Sequence, residues 1–519
     1  MTRGTDASIS THLGETSANR PGSSGQPLLI VIAGELEWED ILRLRKVNRA
    51  LSKISRSRDV WQTIYLRYLG TRIPRPYFLP KPLHVCGADD LEKAVVDWEA
   101  EWPKVIPTKQ RVLDFSLNGM RQIPNEVELV PGGRWILWGH PDGSVSYSDL
   151  EDNSGNGLFN LLISPPFDNE EPLKTKALLA VDYATEQEGN QDVHHLRCFR
   201  IAVATCRRDS LSGERNTTQV DVWCVEVAYG DNGQAIGLRV KARLATFQDY
   251  WPEVRSDRPF ALRGNFLAYG GVHGLEHSLA VVLDWTEANG KMSAEEIERV
   301  YIPNCRPMIL RLLPGSRILV VYEHTWGRNG RKVVVYDWGR DGIRSAAPLI
   351  TELHRHIEGL STGQAQSVFF GNNISILSLD DPNETRFVLK TFDSIQEVRL
   401  PQQPPLSGIE VRQEEPVVVR DLPLPPVGGV DNLYTVREFC GYQRSGGNMG
   451  ARRYSWANER RDGQPVLSLR ESKVDFEVTE RFRTHGSRLF FDEISGRVVL
   501  LNAGCTQLVV VDLLGSNFV

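Results

Sequence analysis

The chain has 519 residues, more than one hydrophobic core ordinarily serves, so two or three domains are expected. Hydrophobic residues make up 41% and charged residues 24%, with a net charge of −6 at pH 7. That balance is the composition of an ordinary water-exposed chain and gives no nucleic-acid signature. The apolar run LLIVIA, residues 28–33, is too short to cross a bilayer, and no membrane association is expected.

Residues 1–26 are rich in Ser, Thr and Gly and nearly lack large apolar groups; they read as a disordered tail rather than a signal peptide. The seven cysteines, at 86, 198, 206, 224, 305, 440 and 505, are scattered, and no CxxC occurs. Their spacing supports neither a metal site nor a disulfide framework, and reduced thiols suit the cytoplasm or nucleus.

A small helical module comes next. PLLIVIAGEL, residues 27–36, is a candidate short helix weakened by Gly34. From Glu39, the residues Ile41, Leu42, Leu44, Val47, Leu51 and Ile54 recur at steps that place them on one helical stripe. Glu37, Glu39 and Asp40 suit the first turn of that helix. Ser57 and Asp59 are candidate caps for a further helix carrying Val60, Trp61, Ile64, Tyr65 and Tyr68, which Gly70 stops. About 45 residues hold too little core to stand alone, so the module is expected to bury apolar surface on the rest of the chain or on a partner. Ten basic residues lie between Ile41 and Pro76 against one acidic residue, Asp59. The aromatics there fall at core spacing, so a solvated basic face or an acidic protein partner fits better than nucleic acid.

Leu36, Trp38, Asp40, Leu42, Arg43, Leu44, Arg45, Val47, Leu51, Ile54, Ser57, Trp61 and the run 66–69 form a pattern that resembles the F-box, in particular that of fungal F-box proteins. The resemblance covers residues 27–70. It implies that the module binds a Skp-type adaptor, and through it a cullin, while the rest of the chain selects a protein substrate for ubiquitination. On that reading Leu36, Ile41, Leu42, Leu44, Val47, Leu51 and Trp61 are the adaptor-binding residues. The start departs from the family: GQPLLIVIAGEL stands where a Leu-Pro pair and an acidic residue are usual.

Residues 71–104 form a connector. Four prolines within 71–87 make its first part extended and stiff. ADDLEKAVVDWEAEWP then reads as a helix with Asp89 and Glu92 at its start, an apolar stripe of Leu91, Ala94, Val95, Trp98 and Trp102, and Pro103 at its end. It is expected to act as a wedge between the module and the remainder of the chain.

Residues 105–519 read as a strand array, with runs such as RWILWG, SVSYSDL, SLAVVLDW, RKVVVYDW and QLVVVDLL separated by Gly, Asn, Asp and Pro turns. AEEIERV, residues 294–300, is the exception and reads as helix. Strands ending in an acidic residue and then an aromatic or Leu recur at Asp149, Asp284, Asp337 and Asp512. Asp284 and Asp337 lie 53 residues apart. About seven such units argue for a β-propeller, so the fold class is mixed and mainly β, a small helical module plus a large propeller of about seven blades. Segments 185–195, 207–219, the Pro-rich 401–429 and the Gly- and Arg-rich 440–464 exceed what blades need. Within the last, Arg452, Arg453, Tyr454 and Trp456 are candidate substrate-binding residues on a loop.

The eleven histidines include the pairs 194/195, 273/277 and 354/356, and none has a metal-ligand spacing. There is no GxSxG, no GxxxxGK[ST] and no dinucleotide fingerprint. The expectation is a non-catalytic receptor with no metal and no cofactor. The alternatives are a propeller scaffold without ubiquitin machinery and a propeller hydrolase or lyase with its site at the central mouth.

Overall fold

The computed structural model describes residues 26–71, 79, 81–100, 109–114, 123–152, 159–167, 175–183, 195–207, 217–230, 235–250, 259–273, 277–302, 307–323, 331–345, 374–375, 384–390, 394–401, 417–423, 430–436, 439–444, 448–461, 464–470, 476–477, 488–492, 495–502 and 504–512. Between 346 and 487 it gives the course and pairing of strands. Of the tail expected over 1–26, residues 1–25 lie outside the described residues and Gln26 begins a helix; most of the Pro-rich stretch, Trp102, the segments 184–194 and 208–216, and His354 and His356 also lie outside the described residues. The chain divides into two units: Met1–Tyr68 with Cys86–Val96, and Leu69–Val85 with Asp97–Val519.

The first unit is helical: α1 Gln26–Gly34, α2 Trp38–Leu44, α3 Arg49–Ile54, α4 Arg58–Thr71 and α5 Ala88–Ala100. The single stripe expected from Glu39 to Ile54 is in fact two helices. Asn48 caps α3 through its side chain, which accepts from the Leu51 amide at 2.9 Å, and Val47 falls in the turn before it. Ser57 caps α4, accepting from the Val60 amide at 3.4 Å. Ala33, Ile41, Ile54, Val60, Trp61, Ile64 and Tyr65 form the core, and Cys86, Leu91, Ala94 and Val95 are buried in the same unit. Of the helix expected as a wedge, Ala88–Val96 falls in this unit, where Leu91, Ala94 and Val95 add to the core, and Asp97–Ala100 falls in the second unit. At its start Asp90, rather than Glu92, accepts from the Gly87 amide, at 2.9 Å. Glu92 instead pairs with Arg45.

The second unit holds seven antiparallel sheets among the described residues. β1 (Lys109–Asp114) is followed by a first complete sheet of β2 (Glu126–Leu129), β3 (Trp135–Gly139), β4 (Val145–Asp149) and β5 (Asn160–Ile163). The second has β6 (Thr175–Asp182), β7 (Cys198–Arg207), β8 (Thr217–Tyr229) and β9 (Ala235–Tyr250). The third has β10 (Phe260–Arg263), β11 (Phe266–His273), β12 (His277–Asp284) and β13 (Arg299–Ile302). The fourth has β14 (Pro307–Leu313), β15 (Arg317–Glu323) and β16 (Arg331–Asp337), and β17 (Ile343–Ser345) returns to pair with β13. The fifth has β18 (Ile374–Ser375), β19 (Glu384–Lys390), β20 (Ser394–Pro401) and β21 (Val417–Pro423). The sixth has β22 (Val430–Val436), β23 (Phe439–Arg444), β24 (Asn448–Arg461) and β25 (Gln464–Arg470), with β26 (Phe476–Glu477) on β24. The seventh has β27 (Arg488–Asp492), β28 (Arg497–Leu501) and β29 (Gln507–Asp512), and β1 completes it by pairing with β29 from Lys109↔Asp512 to Asp114↔Gln507.

First strands of neighbouring sheets lie side by side, β27 with β2, β6 with β10, β10 with β14, and β18 with β22. With the seventh sheet closed by a strand from the beginning of the unit, this is a β-propeller of seven blades. Closure leaves β29 paired on both sides.

Packing reflects the strand period. In β3, Ile136 and Trp138 join a cluster with Val499 and Val510 of blade 7, whereas Trp135 and Leu137 join one with Ile201 and Val203 of blade 2. In β12, Val281 and Leu283 face Val220 and Phe247 of blade 2, while Ala280 and Val282 face Leu310 and Val320 of blade 4. A blade is covered on both faces, so its middle strands are continuously apolar rather than alternating. The recurring Asp residues have a shared place: Asp149, Asp284, Asp337 and Asp512 end the third strand of their blades, opposite the first residue of the second.

The expected helix at 294–300 is a short 3-10 turn, Ala294–Glu296, leading into β13. Arg299 begins that strand fully buried because Asp249 receives it. Its Nε donates to Asp249 Oδ1 at 3.1 Å and Nη2 donates to the same oxygen, while the Tyr269 hydroxyl donates to Oδ2 at 2.7 Å. The expected insertion at 440–464 is also mostly sheet, β23 and β24 with the start of β25. Its Arg, Asn and Gly residues hide the apolar alternation that marks other strands.

Candidate partner-docking surface

The module positions its side chains with arginine. Arg45 forks onto Glu92 of α5, with Nη1 at 2.7 Å from Oε1 and Nη2 donating to Oε2. Its Nη2 also reaches the Ser55 carbonyl at 3.2 Å, and the guanidinium lies 5.8 Å from the Trp61 ring centre. The Trp61 indole N–H donates to that same Ser55 carbonyl at 2.8 Å. Arg58 Nε donates to the Cys86 carbonyl at 2.9 Å. Arg67 satisfies the end of α1, donating to the Leu36 carbonyl at 2.6 Å and the Gly34 carbonyl at 3.2 Å. Gly34 sits so near α4 that a Cβ there would lie 2.9 Å from Thr63 Cγ2. Part of the basic face expected from the sequence is therefore internal scaffolding. Lys46, Arg49, Lys53 and Arg56 remain exposed, at steps of three and four along α3 and its flanks.

The module also leaves large apolar side chains outside. Leu28 and Val31 are each 63% exposed, Ile32 49% and Val47 64%. Leu28, Leu29, Val31 and Ile32 lie on one side of α1, while Ala33 is buried. α1 runs beside α3, which carries Arg49 and Lys53. An exposed apolar helix face bordered by cations is the mark of a protein-binding surface, with the cations favouring an acidic partner.

Of the seven residues expected to bind an adaptor, Val47 is exposed, and Leu36, Leu42, Leu44 and Leu51 are half-buried. Ile41 and Trp61 are fully buried in the core of the module. Leu28, Leu29, Val31 and Ile32 were missed. Their signal was a helix apolar on every side, LLIVIA, which a module of this size cannot cover.

In the propeller, Arg452, Arg453, Tyr454 and Trp456 lie on β24, not on a loop. Arg452 pairs with Cys440, Arg453 with Phe439 and Arg470, and Tyr454 with Leu469, while Trp456 falls in the register shift between Ser455 and Glu459. Their side chains are outside the described residues. First strands bring other charges together. Burial pushes Glu126 of β2 up to about 7, with Arg488 of β27 opposing and Glu128 adding to the rise. Burial also raises Glu128, opposed by Arg311 of blade 4 on the far side of the ring. Among the described residues no group of three or more His, Cys, Asp or Glu could hold a metal, and no helix is long and apolar enough to cross a membrane.

No protein-family model and no curated protein matches the chain. Among solved structures it is similar to U3-55K, at 10% identity over 78% of this chain and 99% of that one, with a TM-score of 0.34. It is likewise similar to the WD40 repeats of RRP9, at 11% identity over 78% and 98%, with a TM-score of 0.33. The propeller assignment rests on this chain's own strand order and ring closure.

Proposed function

We propose that the protein is a substrate receptor of a Skp–cullin–F-box type ubiquitin ligase. The helical module docks an acidic Skp-type adaptor, which brings a cullin, and the propeller holds a protein substrate; no catalytic step is assigned to the chain. The observation that carries this reading is the uncovered apolar face of α1 with Val47 beside the basic row of α3. Each of these side chains contributes about 1.5–3 kcal/mol if a partner buries it fully. The F-box-like pattern supplies the identity of the partner.

A second reading, a scaffold for protein–protein interaction without ubiquitin machinery, is favoured by the start of the module, where GQPLLIVIAGEL replaces the usual opening of an F-box. Capture of a purified Skp-type adaptor by the full chain and by Val31→Asp separates the two. Val31 is largely exposed, so the variant should melt as the parent does while capture falls about tenfold or more. Deleting residues 1–70 is the poorer test, because it strips the cover from Leu91 and Val95 of α5. No capture by the parent chain, or equal capture by both, overturns the ligase reading in favour of the scaffold.

A further inference from the structure

In blades 1, 2, 3, 5, 6 and 7 the third strand lies inside its sheet: β4, β8, β12, β20, β24 and β29 each have a partner strand on both sides. Blade 4 differs. Its strands run β14, β15, β16, and the strand that follows, β17, pairs instead with β13 of blade 3, from Arg299↔Ser345 to Tyr301↔Ile343. Among the described residues nothing pairs with the outer edge of β16. The sequence of that strand, RKVVVYD, is nevertheless that of an interior strand, with three successive valines and no proline or glycine. Its register on β15 is unbroken from Arg317↔Asp337 to Glu323↔Arg331, so no bulge turns the edge away. The outer edge of blade 2 is guarded by contrast. β9 has three register shifts, the Gly290 amide of blade 3 donates to the Thr246 carbonyl at 2.9 Å, and the Gln248 amide donates to the Lys291 carbonyl at 3.1 Å. A regular, apolar, unguarded edge is a template for another strand.

We propose that the occupant of this edge is a second copy of the chain, with the two β16 strands paired antiparallel about a two-fold axis through Val334. In such a pair the residue on the axis lies opposite its own copy. Val334 is then opposite Val334, Val333 opposite Val335, Lys332 opposite Tyr336, and Arg331 opposite Asp337 of the second copy. The strand is thus complementary to itself, aliphatic in the middle and oppositely charged at its two ends, and each pair off the axis forms twice. Moving the axis to Val333 or Val335 sets Arg331 against Val335 or Gly339 and loses both ion pairs, so the register centred on Val334 is preferred. Asp337 already lies opposite Arg317 in its own sheet, and a carboxylate has acceptor sites for a second guanidinium. Blade 4 of one copy continues into blade 4 of the other, and β16 becomes an interior strand like its counterparts. The contact is a single strand edge, so association is weak and depends on concentration.

The test is sedimentation of the folded full chain over a concentration series up to about 100 µM, which reaches a weak contact of this kind. The parent should pass from monomer to dimer as concentration rises. Arg331→Asp sets Asp opposite Asp337 at both ends and should raise the dimer Kd at least about tenfold. Asp337→Lys sets Lys opposite Arg331 and should do the same. Mixed in equal amounts, the two variants should dimerise as the parent does, because each then meets its opposite charge at both ends. Misfolding predicts no such recovery, and a melting curve shows that each protein is read folded. Arg331→Asp alone carries the test if Asp337→Lys does not fold. A parent that stays monomeric throughout overturns the proposal and leaves the edge to a strand of another protein. A dimer that Arg331→Asp leaves unchanged overturns it too, since another surface would then hold the copies together.

Discussion

Trp61 shows how one buried residue organises the helical module. Its ring fills the module's core and backs the Arg45 guanidinium, and its indole N–H is bonded to Ser55. Trp61→Ala should destabilise the helical module by about 3–5 kcal/mol, and partner capture should fall with it. Thermal melting followed separately on module and propeller checks this: loss confined to the helices is expected, and unfolding of the whole chain would refute the division into two units. Glu126 gives a prediction in pH. Its folded-state value of about 7 lies above the ordinary value of 4.5, so its share of stability is present below the ordinary value and is lost as pH rises through 7. The effect is at most about 3 kcal/mol, because the group keeps some solvent. Glu126→Gln should melt at a temperature that changes less between pH 5 and pH 8 than the parent's. Parallel curves for the two proteins would mean that Glu126 titrates normally.

At the scale of elements, strand sequences were legible wherever both blade faces are packed. RWILWG, SLAVVLDW and QLVVVDLL are apolar because residues alternate between two neighbouring blades, both of them dry. The Asp closing such strands was legible as a repeat, and in the structure it lies opposite the first residue of the strand before it. Polar strands were not legible: β24 carries MGARRYSWANERR, and nothing in its pattern separates it from a loop. Helix boundaries failed for another reason. The stripe from Ile41 to Ile54 has one period, but the Asn48 cap starts a new helix inside it, and capping is a local event that periodicity does not register. The docking surface was half legible, since spacing identifies apolar helix faces but cannot say which of them α5 will cover. Turns carry information too. Gly143, between β3 and β4, has φ +85°, and a Cβ there would lie 2.2 Å from Thr205 Oγ1 of β7 and 2.9 Å from Pro166. Gly143→Ala should therefore cost about 1–3 kcal/mol by straining the turn and pushing blade 1 from blade 2. Chemical denaturation would show it, and an unchanged midpoint would mean that the turn relaxes freely.

For the whole molecule, the question is what keeps a ring of seven sheets shut when its last blade is built from both ends of the unit. Hydrophobic packing between blades 7 and 1 is like that between blades 1 and 2, 2 and 3, and 3 and 4, but here polar groups add a lock. Arg497 Nε donates to Asp512 at 2.6 Å, Nη1 to the Gly133 carbonyl at 2.8 Å and Nη2 to Glu151 at 2.5 Å, so one buried side chain ties β28 to β29 and to blade 1. Asp492 answers from the other direction, accepting from the Gly132 amide at 3.0 Å. The bonds to Gly133, Glu151 and Gly132 join residues more than 340 positions apart, whereas Arg497 and Asp512, inside one blade, are 15 apart. Long loops must be closed before such contacts form, which makes the seam the least autonomous part of the ring. Arg497→Ala leaves Asp512 and Glu151 without this partner and should weaken the seam by about 3–5 kcal/mol. The loss should be local: amides of β1 and β29 should exchange with solvent together and faster than in the parent, while those of β11 and β12 in blade 3 keep their protection. If protection fell evenly through all blades, the ring would open as one cooperative body, and the seam would hold no special place in it.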